Sequence, residues 1–540
     1  MEAFSGSVVS GGAVLGKIFT FGKEEGAPEK KVVADADGEF KRLQAALVLA
    51  KEELERLYQD AVAQVGEENA QIFEIHQMML EDLDYLESIE RLIKKEKLTA
   101  EYAVFVTAEL FSGTFAEMDD EYMKARSIDV LDVSKRVIRK LTGKAEKCLE
   151  SAEAVIVLAD DLTPSETINL DKAKVLAFVT RKGSSNSHTA ILARSLNIPA
   201  LVNVNFAPES LDVFDGREAA VDAVSGRFYV DPDEQTIQSI TAFIKQRALD
   251  LQALDALKGK DNITTDGRKI KIFANIGDRE DVESVLENDA GGIGLFRSEF
   301  FYLGRQEAPS EEEQFAHFKE VIERMAGRQV IIRTLDIGAD KKVDYLGLQE
   351  EENPALGFRA IRICLHQPEI FRTQLRAIYR ASVFGNVGIM FPMITSVEEV
   401  RCIKEIVREV REELISERIP VGNPELGIMI ETPAAALISD ELAKEVDFFS
   451  VGTNDLTQYT LAIDRQNEKL SEFYDPHHRG VLMLIQMACE NAHKNGIWIG
   501  ICGELAGDLE LTKTFVDMGI DELSVSPAKV LLLRKAVRTL

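Results

Sequence analysis

His188 stands in Gly183-Ser-Ser-Asn-Ser-His-Thr-Ala-Ile-Leu-Ala-Arg194, where a loop of small polar residues gives way to helical spacing. A helix start carries unpaired backbone N–H groups and a partial positive charge. That setting disfavours imidazolium, keeps the ring neutral and nucleophilic, and accommodates a phosphoryl group on it. A histidine that only caps a turn looks the same locally, so this stretch leaves both readings open. A second set of residues closes short apolar runs further on: Arg297, Arg333, Glu431, the pair Asn454 and Asp455, and Cys502, with Arg465 shortly after. Converging arginines call for an anion, and the planar guanidinium fork suits phosphate and carboxylate. Glu431 and Asp455 beside them suit Mg²⁺, which takes one or two carboxylates plus substrate phosphate oxygens. Near a cation the thiol of Cys502 is expected to have a lowered pKa and a role in proton transfer; a small buried apolar residue is the plainer reading. Together these groups suit phosphoryl transfer from a small phosphorylated acid to His188.

Those residues share an address only if the elements that carry them do. After Lys260 the chain alternates strand and helix patterns. Eight strand candidates follow: Lys271–Asn275, Gly292–Arg297, Val330–Leu335, Val387–Pro392, Leu426–Glu431, Phe448–Thr453, Trp498–Cys502 and Leu523–Ser526. Helical runs such as 311–326, 396–415 and 480–495 separate them. Eight βα units over 261–540 match a (β/α)₈ TIM-type barrel, whose active sites lie at the C-terminal strand ends. An open doubly wound sheet is the alternative, without a dinucleotide fingerprint to support it. Residues 1–30 read as β-structure with turns. Phe40, Leu43, Leu47, Ala50, Leu54, Leu57 and Ala61 then form a heptad stripe, followed by a second helical pattern from Ile72 to Leu86 and two more over 99–115 and 119–142. Strand-like runs return at 154–159, 175–179 and 219–222. The expected organisation is an α/β domain from 1–30 and 145–230, an inserted four-helix bundle at 31–144, a largely polar linker helix at 231–260, and the barrel.

The 540 residues carry a formal charge of −29 and 45% apolar content. Such acidity argues against nucleic acid and anionic membranes and would suit a basic protein partner. No apolar run approaches a membrane span, and the first residues lack a signal peptide's basic start. Five scattered cysteines without a Cys-x-x-Cys fit a reducing cytoplasm.

Taken in order, these motifs resemble the enzyme I family, the phosphoenolpyruvate–protein phosphotransferases of the bacterial sugar phosphotransferase system, over essentially the whole chain. The stretch around His188 resembles the phosphohistidine signature of phosphoenolpyruvate-utilising enzymes, departing from it at Ser184. Asp447-Phe-Phe-Ser-Val-Gly-Thr-Asn454-Asp455-Leu-Thr-Gln resembles their second signature. Gly427-Ile-Met-Ile-Glu431-Thr-Pro, Leu295-Phe-Arg297-Ser-Glu, Ile332-Arg333-Thr-Leu-Asp and Gly500-Ile-Cys502-Gly-Glu match as well. The resemblance implies that His188 takes the phosphoryl group of phosphoenolpyruvate and passes it to the histidine-containing phosphocarrier protein. It implies substrate binding by Arg297, Arg333 and Arg465, a phosphate contact from Asn454, Mg²⁺ held by Glu431 and Asp455, and protonation of enolpyruvate by Cys502. Arg359 and Thr167 are implied as further site residues, Thr167 against the His188 ring. Met78, Met79 and Asp82 are implied as carrier contacts, and the barrel as the homodimer interface. The related dikinase and synthase need an ATP-grasp domain, for which no room is expected here, and the nitrogen-regulated form has a sensory domain. A non-catalytic binding protein, or a barrel lyase acting on a 2-oxo acid with His188 merely structural, are the readings from other classes.

Overall fold

The structure is a computed structural model that describes residues 1–540 apart from 22–26, 66, 117–120, 144–152, 164–165, 168–169, 184–187, 196–197, 208–209, 339–340, 342, 350 and 466. The chain forms two compact units, Met1–Leu249 and Asp250–Leu540. The division falls within the helix Glu234–Asp255, on which Ile240 alone is buried. Among the described residues no helix is long and apolar enough to cross a membrane.

The first unit contains an eight-stranded sheet of β1 (Glu2–Ser5), β2 (Ser7–Ser10), β3 (Ala13–Phe21), β4 (Val155–Ala159), β5 (Val175–Thr180), β6 (Ala200–Val202), β7 (Glu218–Asp222) and β8 (Arg227–Val230), in the order β1-β8-β7-β3-β4-β5-β6-β2. The apolar runs Val155–Ala159 and Val175–Thr180 are its parallel centre. Every residue of β4 is buried, as strands covered on both faces require. Short β6 and β8 had no clear signal in the sequence.

Between β3 and β4 the chain is helical: Ala36–Val65, Glu67–Met79, Leu83–Lys94, Ala100–Ala116 and Glu121–Thr142. The heptad stripe is the spine of this part, with Leu43, Ala50, Leu54, Leu57 and Ala61 buried and Phe40 and Leu47 packed against them. The pattern from Ile72 to Leu86 keeps its apolar phase across a turn at Leu80–Asp82, so one expected helix is two. Asp82 makes that restart possible. Its carboxylate accepts the Tyr85 backbone N–H at 2.8 Å, capping the new helix. Losing such a cap costs about 1 kcal/mol. Asp82→Ala is therefore expected to lower the Tm of the helical region, whereas Asp82→Asn, which keeps a capping oxygen, leaves it nearly unchanged; thermal melts followed by circular dichroism compare the two.

In the second unit all eight expected strands are present, as β9 (Lys271–Ile276), β10 (Ile293–Arg297), β11 (Val330–Arg333), β12 (Val387–Phe391), β13 (Glu425–Ile430), β14 (Phe448–Val451), β15 (Trp498–Ile501) and β16 (Glu522–Val525). They close into a barrel in sequence order, every pairing parallel. Alternate residues face outward into the layer beneath the helices, as Ile272, Ala274 and Ile276 do on β9. The barrel interior is apolar on one side, with Leu295, Ile331, Met390, Met429 and Phe448, the last stacked on Trp498 at 4.6 Å between ring centroids. Glu522 also points inward and is fully buried, and burial raises its carboxyl to about 8 against the opposing attraction of Lys271. A carboxyl whose folded pKa lies above its ordinary value of 4.5 favours the folded state most below that value. Wild type is thus expected to lose stability relative to Glu522→Gln as pH rises from 4.5 to about 8; the difference in Tm between the two proteins across that window measures it.

Candidate functional site

The C-terminal strand ends bring the predicted residues together. Arg297 and Arg333 are the last residues of β10 and β11. Glu431 directly follows β13, and Cys502 directly follows β15. Asn454 and Asp455 lie in the first turn of the helix Thr453–Leu461 that follows β14. That helix ends at Ala462 in the left-handed conformation, and the Gln458 side chain accepts the Arg465 backbone N–H at 3.1 Å, which returns Arg465 to the mouth. These residues and Arg359 all line one cavity of about 940 Å³. The loop after β15 reaches it because Gly503 lies against Thr453 so closely that a Cβ there would overlap the Thr453 side chain and backbone. Met393, after β12, has φ +58° and directs its N–H to Glu431 Oε1 at 2.5 Å. A non-glycine residue in that conformation is strained, and such strain gathers at sites that use it.

The electrostatics differ from the expectation in two ways. The arginines do not face the cavity unpaired. Arg333 pairs with Glu299 and, at 2.8 Å, with Asp336. Arg359 also reaches Asp336, at 3.0 Å, and Arg465 lies 3.7 Å from Asp455. Only Arg297, of the expected three, has no ion-pair partner among the described residues. Burial would raise the Asp336 carboxyl, yet Arg333 and Arg359 hold it down to about 2. The need for an anion therefore rests on the guanidinium N–H groups left over: Nε of Arg333 and Nε of Arg359 are buried without a hydrogen-bond partner among the described residues. Such groups are normally satisfied. The second correction concerns Cys502. Its thiol is not lowered; burial pushes it up to about 12, against the opposing effects of Ser450 and Arg333. A thiol that keeps its proton is an acid in waiting, which serves proton donation and disfavours nucleophilic attack.

The carboxylates suit a cation. Glu431 is fully buried, and its Oε2 has no hydrogen-bond partner among the described residues. Burial, then Asp455, then Asp336 push its carboxyl well above the ordinary range. A buried acid held beside other acids marks a place for positive charge. Among the described residues no cluster of three or more His, Cys, Asp or Glu side chains is placed to hold a metal ion. A pair is what a cation needs when substrate oxygens complete its shell, so Glu431 and Asp455 fit Mg²⁺.

Asn454 is engaged at both ends of its amide, donating to Glu504 Oε1 at 3.1 Å and accepting the Glu504 backbone N–H at 3.0 Å. Its backbone N–H lies in the first turn of a helix, where donors have no partner within the helix. Glu299, Asp336 and Glu504 were overlooked as site residues although each closes or follows a quoted motif, two or three positions beyond its arginine or cysteine. Lone acids at that spacing have no signal until the fold shows what they pair with.

In the first unit, the helix His188–Ser195 begins at His188, as the small-residue loop predicts, and Ala190 and Ala193 are fully buried on its inner side. The loop Ser184–Ser187 and the His188 side chain lie outside the described residues. Thr167 is buried, and its expected partner, the His188 ring, lies outside them too. Met78 is 69% exposed, whereas Met79 is half-buried against the helical core and Asp82 has its capping duty.

Sequence models of PEP-utilising enzymes match three parts of the chain: the PEP-binding domain at residues 252–540, the N-terminal domain at 5–126 and the mobile domain at 151–226. The chain is 43% identical over 541 residues to the phosphoenolpyruvate-protein phosphotransferase of Priestia megaterium, all of this chain against 94% of that one. It is 43% identical over 546 residues to the protein of the same name from Geobacillus stearothermophilus, covering 93% of it, and 41% identical over 546 residues to that of Bacillus subtilis strain 168, covering 95%.

Proposed function

The chain belongs to the PEP-utilising enzyme family, and from that membership we infer how its residues share the work of a phosphoenolpyruvate-protein phosphotransferase. The observation that carries the assignment of roles is that one cavity brings together guanidinium N–H groups and a buried carboxylate oxygen without partners among the described residues, and a protonated thiol. Arg297, Arg333 and Arg465 bind the phosphate and carboxylate of phosphoenolpyruvate, with Arg359 beside them and the Asn454 backbone N–H on a phosphate oxygen. Glu431 and Asp455 hold Mg²⁺, which when bound supplies positive charge to the phosphoryl oxygens.

The His188 ring attacks phosphorus as the P–O bond to the enol oxygen breaks. Cys502 gives its proton to C3 of the enolate that leaves, and pyruvate results. Protonation removes the enolate from equilibrium, which drives the transfer forward. The phosphoryl group then passes from His188 to the histidine-containing phosphocarrier protein, the first step of sugar uptake by the phosphotransferase system. The helical insertion is the carrier's docking element in this reading, with exposed Met78 as its apolar contact and Met79 and Asp82 at the edge. The formal charge of −29 would steer a basic carrier. Pairing of two chains through the barrel is supported by the family alone, and sedimentation measures it.

Incubation with Mg²⁺ and phosphorus-labelled phosphoenolpyruvate, without ATP, is expected to yield an acid-labile, base-stable phosphoprotein and one pyruvate per label. Wild-type protein that takes no label under these conditions would sink the reading. The alternative, a barrel lyase, predicts cleavage of a 2-oxo acid with no phosphoprotein at all.

A further inference from the structure

Below the mouth, one side of the barrel interior is polar. Neither carboxyl oxygen of buried Glu522 on β16 has a hydrogen-bond partner among the described residues. Room for this carboxyl is left by glycines on two other strands. A Cβ at Gly500 of β15 would overlap Oε2, and one at Gly294 of β10 would stand 2.5 Å from both Oε1 and the Ser524 hydroxyl. The carboxyl and that hydroxyl therefore border the same small space. Gly500 is in register with Ser450 of β14 on one side and with Glu522 on the other. Cys502 lies two residues further along from Gly500, on the same face, about 6.6 Å up the strand.

The oxygens Ser450 Oγ, Ser524 Oγ and Asn275 Oδ1 are also buried without partners among the described residues. The Asn275 amide donates to the Cys502 carbonyl at 2.9 Å and to that of Ser524 at 3.3 Å, so this group surrounds the base of the Cys502 loop. Buried polar oxygens are nearly always satisfied, by water where protein supplies no partner. At the other end of the stripe Lys271 of β9 is in register with Glu522, and its exposed side chain sets Nζ 4.6 Å from the Trp498 ring. The stripe thus runs from solvent at the N-terminal strand ends to the thiol at the C-terminal ends, along β14, β15, β16 and β9.

We propose that Glu522 restores the proton that Cys502 gives up, delivering it up the barrel through the Ser450 and Ser524 hydroxyls and the water they require. The proposal rests on the reading of Cys502 as the donor to enolpyruvate. When the S–H proton moves to C3, a thiolate remains. The Glu522 O–H proton then moves to sulfur along a chain in which each hydroxyl or water accepts one proton as it releases another. The carboxylate regains its proton from solvent at the Lys271 end. No electrons are exchanged, the relay water is regenerated, and the one proton consumed per turnover comes from solvent. Burial, which raises the Glu522 carboxyl to about 8, keeps it largely protonated at neutral pH and able to serve. Entry from the bottom recharges the thiol without passing the substrate in the mouth.

The test uses full-length Glu522→Gln, whose amide fills the same space but carries no transferable acid proton, with Ser524→Ala as a second variant. Pyruvate release is followed with Mg²⁺, phosphoenolpyruvate and excess phosphocarrier protein. Each variant starts with Cys502 protonated, so the first turnover is expected to give a full burst of one pyruvate per His188. Steady-state kcat is then expected to fall about 100-fold in Glu522→Gln, the lower end of the range for a lost proton transfer. Added imidazole buffer, as an external acid, is expected to raise the kcat of the variant and leave wild type unchanged, which a structural defect would not do. A wild-type steady state in Glu522→Gln overturns the proposal. So does loss of the burst itself in both variants, which would give these groups a part in folding or binding. A Cys502→Ala control separates the two levels: if it releases pyruvate at the wild-type rate, the reading of Cys502 fails first.

Discussion

His188→Ala is expected to take no phosphoryl group from phosphoenolpyruvate, with labelling at background while Mg²⁺-dependent substrate binding to the barrel persists. The chain has seven histidines, and the others are poorly placed to substitute. His76 is fully buried in the helical insertion, and His317 is buried against Phe301, with burial lowering its pKa to about 4. His477 and His493 are held by Asp508 at 2.5 Å and Asp521 at 2.9 Å. His478 caps the helix Arg479–Lys494 with its ring, and His366 ends the helix Ile361–His366 with its ring against the edge of Phe358. His188 alone opens a helix out of a loop of small residues, and a helix start welcomes negative charge. Retention of substrate affinity, measured by calorimetry, distinguishes loss of the acceptor from loss of the fold. Full labelling of the variant would move the phosphoryl acceptor elsewhere.

The second large effect belongs to Arg333. Buried between Glu299 and Asp336, it also faces Glu431 and Cys502, and all four partners raise its pKa against a desolvation that lowers it. Arg333→Met leaves Glu299 as a buried acid without its cation and Asp336 with Arg359 alone. Breaking a buried pair in this way costs about 3–5 kcal/mol, which denaturant titration of the barrel measures. Activity is expected to vanish with it, because an anionic substrate then loses a guanidinium from a cavity already lined by more acids than cations. Arg333→Lys keeps the charge and should recover most of the stability. It loses the planar fork that meets two acids and a phosphate at once, so kcat/KM is expected to stay at least about 100-fold down, as for one lost oxyanion donor. Equal activity of the lysine variant would reduce Arg333 to a structural counter-ion.

Much of the molecule was legible beforehand. All eight barrel strands lie where apolar runs bounded by helical patterns place them, and Arg297, Arg333, Glu431 and Cys502 sit at strand ends because those runs stop at them. The heptad from Phe40 to Ala61 is the core of the helical insertion for the same reason. Short strands such as β6 and β8 escaped notice, since three or four residues make no period. The turn at Leu80–Asp82 escaped because the apolar phase continues across it.

Local pattern alone gave His188 and the strand-end residues their address: a histidine at a helix start, and a set of arginines, acids and a thiol on one rim of a barrel, for which phosphate binding is the expected chemistry. These follow from local pattern, because periodicity sets the elements and the barrel's topology sets which ends converge. Only the tertiary structure decided the state of those groups. It paired Arg333 with Glu299 and Asp336 and Arg359 with Asp336, kept the Cys502 thiol protonated, and set Glu522 between Gly294 and Gly500 with no hydrogen-bond partner among the described residues. The physical reason is that desolvation and charge coupling sum over neighbours from many strands, and residues distant in the chain meet only when the barrel closes.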